Sequence, residues 1–71
     1  MRVIHKTYYH FELQDKKCFE LFIKNNQLSL RAFAKKCGIS PSYLYDIVSG
    51  NRTASDKIIK TFNENGFFIG E

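Results

Sequence analysis

The 71-residue sequence predicts a mainly α fold: four short helices with a small two-stranded β pair formed by the N- and C-terminal segments. Three observations carry this expectation. Ser29, Ser40 and Ser55 each precede a run with apolar residues at helical spacing, as a side-chain oxygen that caps free N–H groups should. Gly38, Gly50 and Gly66 follow those runs, where a helix ends on a left-handed residue. The two ends of the chain read differently. Within residues 3–13, Tyr9, Phe11 and Leu13 alternate with His10 and Glu12, and Phe67-Phe68-Ile69 is a short apolar run.

The elements follow in order. Asp15 is the expected N-cap of a first helix from Lys16 to about Asn26, with Phe19, Phe22 and Ile23 as its inward stripe and Cys18 and Leu21 flanking. Ser29 caps a second helix, Leu30 to Cys37, which Gly38 closes. Ser40 caps a third, with Pro41 at its first position, where the missing N–H costs nothing. Gly50 supplies the stop after Ser49. Ser55 caps a fourth helix, Asp56 to Asn65, with Asp56 at the positive end of its dipole and Ile58, Ile59 and Phe62 facing inward. A lone strand pair is marginal in water, so the two strand-like ends must lean on the helices. The expected organisation is one domain over 1–71: a strand-like arm at 1–14, a helical core at 15–66 and a strand-like tail at 67–71.

Composition narrows the function classes. At 44% hydrophobic residues, with seven Phe and four Tyr, the chain has enough apolar mass for a small core without metal or disulfide staples. No apolar stretch approaches the ~20 residues of a membrane span, and MRVIHKTYYHFELQDKK lacks the apolar run of an export signal. The expectation is a cytoplasmic protein with no membrane contact, in which Cys18 and Cys37 are buried, reduced thiols. The net charge of +4 is unevenly placed. Between Lys16 and Lys36, six basic residues face one acid, Glu20, whereas the chain from Cys37 onward has one more acid than base. A basic block of this kind draws a domain toward nucleic acid or an acidic protein surface.

The densest signal lies in LRAFAKKCGISPSYLYDIVSG, Leu30 to Gly50. Ala34 is small where two helices would cross, Gly38 permits the turn, and Phe33, Cys37, Ile39, Leu44 and Ile47 fall on the faces that would meet. Burying each large apolar side chain contributes roughly 1.5–3 kcal/mol. This run resembles the helix-turn-helix of Cro/CI-type repressors, and the likeness extends over about residues 15–66. The resemblance implies a compact Cro/CI-like domain whose third helix enters the DNA major groove. Carried over residue by residue, the base-reading positions are Pro41, Ser42, Tyr43, Tyr45 and Asp46. None is an Arg, Asn or Gln, the side chains that bind bases through two hydrogen bonds. Asn51, Arg52 and Thr53 suit phosphate, as does the start of the second helix near Ser29.

Two functional readings follow, both ending in transcriptional control in a bacterial host cell. In the first, the protein regulates a phage-type switch by binding double-stranded operator DNA, with a homodimer implied by the resemblance. In the second, it resembles the short modulator-of-repression proteins of temperate phages, and the aromatic, acidic face of Tyr43, Tyr45 and Asp46 binds a phage repressor's DNA-binding domain. Aromatic residues suit such a surface because they bury much area with few torsions. A purely structural role for the motif is the plainest alternative.

No enzymatic activity is expected, because glycine-rich phosphate loops, paired-carboxylate motifs and serine elbows are missing. No cofactor is expected either. Nor is a metal: His5 and His10, five apart on a strand, point to opposite faces.

Overall fold

A computed structural model describes residues 8–68. Four helices dominate: α1 (Leu13–Asn25), α2 (Leu30–Cys37), α3 (Pro41–Val48) and α4 (Asp56–Glu64). Two short strands, β1 (Tyr8–Tyr9) and β2 (Ala54–Ser55), pair antiparallel with Tyr8 opposite Ser55 and Tyr9 opposite Ala54. The mainly α class with a two-stranded pair is thus as expected, but the pairing partner is not. β1 joins the segment leading into α4 rather than the C-terminal tail.

The tail has another role. Phe67 is only 6% exposed and packs its ring against Phe11, Phe19, Phe22 and Phe62, with centroids 5.1–6.3 Å apart. Phe68 is 67% exposed, and Ile69 lies outside the described residues. The Phe67 N–H bonds the Phe62 carbonyl at 2.9 Å in the turn that ends α4, so it is not available to a strand ladder. At the other end, the described part of the expected strand is Tyr8–Tyr9: residues 3–7 lie outside the described residues, Phe11 is buried beyond the strand, and Leu13 is exposed as the first residue of α1.

α1 also begins a turn earlier than expected. Its N-cap is Glu12, and Asp15 occupies the third helical position instead of the cap. From there the Asp15 carboxylate reaches back: Oδ2 accepts the Glu12 N–H at 2.8 Å and the Tyr9 hydroxyl at 2.8 Å. A carboxylate in the first turn satisfies a free donor and complements the positive end of the helix. The other caps are as expected. Ser29, Ser40 and Ser55 accept from Ala32 N–H (3.0 Å), Tyr43 N–H (3.1 Å) and Ile58 N–H (3.4 Å).

All four helices end in the same way. Just past each helix one residue donates its N–H five residues back, Leu28 to Ile23, Ile39 to Ala34, Asn51 to Asp46 and Phe67 to Phe62, at 2.8–3.0 Å. The residue before it holds a left-handed backbone: Gln27 (φ 54°), Gly38 (76°), Gly50 (87°) and Gly66 (100°). This Schellman closure normally seals with an apolar side chain past the turn. Leu28, Ile39 and Phe67 supply it, and each packs on the core. α3 is the exception. Its closure ends on exposed Asn51, so the chain leaves the third helix along the surface.

Six of the seven phenylalanines meet in or against the core, Phe11, Phe19, Phe22, Phe33, Phe62 and Phe67, through a mixture of edge-to-face and tilted ring pairs. Edge-to-face contacts align a ring's positive rim with a neighbour's negative face and add about 0.5–1.5 kcal/mol per pair beyond area burial. Phe33 and Ala34 of α2 and Leu44 and Ile47 of α3 are fully buried in one core cluster.

Cys18 is exposed rather than buried, because its position on α1 falls beside the inward stripe instead of within it. Cys37 is half-buried, with the Asn65 amide 3.8 Å from its sulfur, and burial pushes its thiol pKa up. Such a thiol is a packing group, not a nucleophile.

Candidate nucleic-acid interface

Successive residues of an α-helix project about 100° apart, so one face of eight-residue α3 is committed once its core side chains are placed. Leu44, Ile47 and Val48 are buried. Ser42 and Asp46, one turn apart, therefore lie on the opposite side, with Tyr45 on one flank and Tyr43 on the other. Pro41 is half-buried at the first helical position. Of the two tyrosines, Tyr45 is 54% exposed and Tyr43 is half-buried.

The turn after α3 brings three of the expected residues together. The Asp46 carbonyl accepts N–H bonds from both Asn51 (2.8 Å) and Arg52 (3.1 Å). The Arg52 side chain then folds back over the helix. Its Nε lies 3.6 Å from Asp46 Oδ2, and its guanidinium carbon sits 5.6 Å from the centre of the Tyr43 ring. Tyr43, Asp46 and Arg52 form one unit on the surface, an ion pair laid over an aromatic face. Asn51 and Thr53 are exposed beside it.

Tyr45 and Ser29 stand apart from this unit. Tyr45 borders an open apolar depression of about 170 Å³ between α1 and α3, lined also by Phe19, Ile23, Leu30 and Val48 with Lys16 and Glu20. Ser29 is exposed at the start of α2. Its oxygen is engaged as a cap, but its hydroxyl proton remains available to a ligand. The basic block divides between α1 (Lys16, Lys17, Lys24) and α2 (Arg31, Lys35, Lys36). Among the described residues no group of three His, Cys, Asp or Glu converges as a metal site would require, and His5 is not among them.

Sequence reasoning missed one contact that supports this face. His10 Nε2 lies 2.9 Å from the Gly50 carbonyl oxygen, tying the segment before α1 to the end of α3. A carbonyl only accepts, so Nε2 carries the proton here. No periodicity in the chain signals a bond across forty positions.

With this geometry the family follows. The sequence model of the helix-turn-helix family HTH_3 matches residues 21–63, from the middle of α1 almost to the end of α4. The match spans more than half of the chain, which belongs to this family of DNA-binding transcription regulators. Comparison with curated proteins and with solved structures gave no match. Among the described residues no helix is long and apolar enough to cross a membrane.

Proposed function

We propose that this protein regulates transcription in a phage-type genetic switch by binding operator DNA. α3 enters the major groove, and the turn after it rests on the phosphate backbone. One observation carries this reading: the face of α3 left free by the core continues into Asn51, Arg52 and Thr53, giving a contiguous polar surface. Ser42 is its central side chain for a base edge, and Pro41, Tyr43 and Tyr45 shape its borders. Ser29 and the N–H groups at the start of α2 take a second phosphate. The lysines and arginine of α1 and α2 add attraction that does not depend on sequence. The chain acts in the cytoplasm of a bacterial host as one domain over 1–71, with two copies on the two halves of a palindromic site.

The test is a fluorescence-anisotropy titration against a duplex from the regulatory region beside the chain's own gene, with a scrambled duplex as control. The expected result is preference for the first duplex, with affinity falling linearly on a log–log plot as salt rises from about 50 to 200 mM. No specific retention even at the lowest salt overturns the reading, because phosphate contacts are strongest there.

A specific observation favours a second reading. Exposed Tyr45 beside an apolar depression is the kind of surface that receives a protein side chain rather than a base. In this reading the partner is a phage repressor, whose operator binding is blocked or redirected. Co-elution with the repressor encoded nearby, lost in Tyr45→Ala, is the expected outcome. Co-elution no better than that of an unrelated protein removes it.

A further inference from the structure

An aspartate on the reading face of a DNA-binding helix ought to weaken binding by repelling phosphate, and Asp46 sits in that position. The arrangement around it points the other way. We propose that Asp46 is a positioning residue that strengthens DNA binding, by holding Arg52 with its free N–H groups directed outward. This inference rests on the proposed DNA-binding role.

Three contacts fix Arg52: its backbone N–H on the Asp46 carbonyl at 3.1 Å, its Nε 3.6 Å from the Asp46 carboxylate, and its guanidinium over the Tyr43 ring at 5.6 Å. The carboxylate lies beside the Nε edge as an ion pair, beyond hydrogen-bond distance. The two terminal nitrogens have no hydrogen-bond or ion-pair partner among the described residues, and Arg52's side chain is 62% exposed. An arginine free in solution loses considerable rotamer freedom on meeting a ligand, whereas a fork already held at one edge loses less. The terminal nitrogens present the geometry that binds a phosphate through two hydrogen bonds. Asp46 meanwhile has its charge offset by the arginine it holds, which reduces its repulsion of DNA.

Two features separate positioning from a structural role. The pair is exposed, so it contributes little to folding. The backbone course of the turn depends on the Asp46 carbonyl, which any residue retains. Asp46→Ala, with a good helix former in place of the acid, therefore leaves the fold and thermal midpoint essentially unchanged.

The experiment measures the affinity of wild type, Asp46→Ala, Arg52→Ala and the double variant for the same duplex at several salt concentrations. In the wild-type background, Asp46→Ala weakens binding roughly two- to fivefold, the range an exposed ion pair supports. In the Arg52→Ala background the same change leaves affinity unaltered or raises it, because only repulsion is then removed. Arg52→Ala lowers the magnitude of the salt slope by about 1, as expected for one phosphate contact. If wild type binds the duplex and Asp46→Ala binds as tightly or more tightly, the positioning role is overturned while the DNA-binding reading stands. A wild-type protein that does not bind at low salt removes both.

Discussion

The imidazole of His10 holds the carbonyl of Gly50 at 2.9 Å, so the segment entering α1 is fastened to the residue that ends α3. Gly50 has φ of 87°, and a Cβ added there would sit 3.2 Å from the Phe11 carbonyl oxygen. Gly38, which ends α2, has a similar backbone (φ 76°) with nothing within 4 Å of an added Cβ.

Equal backbone strain with unequal crowding gives the first prediction. Gly38→Ala costs only the left-handed conformation, about 1 kcal/mol. Gly50→Ala adds a tight contact with the Phe11 carbonyl, backbone that must give by a small shift, and costs about 2–3 kcal/mol. Urea unfolding with a common slope measures both, and equal midpoints would contradict the crowding at Gly50.

Gln27 offers the reverse experiment. It holds a left-handed backbone (φ 54°) at the end of α1, in the place that glycine fills at the ends of the other three helices. Gln27→Gly relieves the strain but gives the unfolded chain more freedom, which leaves a net gain of about 0.5 kcal/mol. A raised urea midpoint confirms it; a lowered one shows that the glutamine side chain contributes more than the strain costs.

Tyr9 makes stability depend on alkaline pH. Burial, followed by the hydrogen bond to Asp15 and the nearby carboxylate charge, pushes its pKa from 10.0 up to about 12. The folded state thus retains the phenolic proton more tightly than the unfolded chain does. The resulting stabilisation is fully present below pH 10.0 and is lost as pH rises through about 12. Tyrosinate absorbance should show one group ionising near about 12 that vanishes in Tyr9→Phe. The variant's stability should also decline less between those two pH values than that of wild type. Parallel declines would mean that Tyr9 does not carry the effect.

Adjacent phenylalanines in the tail should behave in opposite ways. Phe67 touches four other rings, and its truncation to Ala leaves a cavity costing about 3–5 kcal/mol. Phe68 is exposed, and its truncation stays within about 0.5 kcal/mol. In a small domain the first loss is a large share of total stability. Calorimetry of the two variants decides; if Phe68→Ala were the more damaging, the tail would have to pack through the other residue.

The helices were legible in the sequence because their signals are local. A serine oxygen meets an N–H three residues on, and a Schellman turn closes over five or six residues, so Ser29, Gly38, Ser40 and Ser55 identify themselves. Asp15 shows where local reading fails. As an acid before a helical stripe it suits the cap and the first turn alike, and its bond to Tyr9, which lies outside the helix, accompanies the longer helix. The candidate interface divides along the same line. Which residues of α3 face away from the core follows from periodicity. That Arg52 turns back across Gly50 to meet Asp46 and Tyr43 does not, because no repeat relates residues on either side of a left-handed turn.

The sequence by itself determined four helices, the serine caps of three of them, the burial of Ala34 with Phe33, Leu44 and Ile47, and the family to which those residues belong. Each of these is fixed by a few neighbouring side chains and the 100° step of the helix. Only the tertiary structure decided which segments meet over long separations. It pairs β1 with Ala54–Ser55, seats Phe67 among the aromatic rings, and joins His10 to Gly50. In each case several partners were chemically adequate, and the choice fell to the arrangement that fills the core, because burial of large apolar side chains is the dominant favourable contribution.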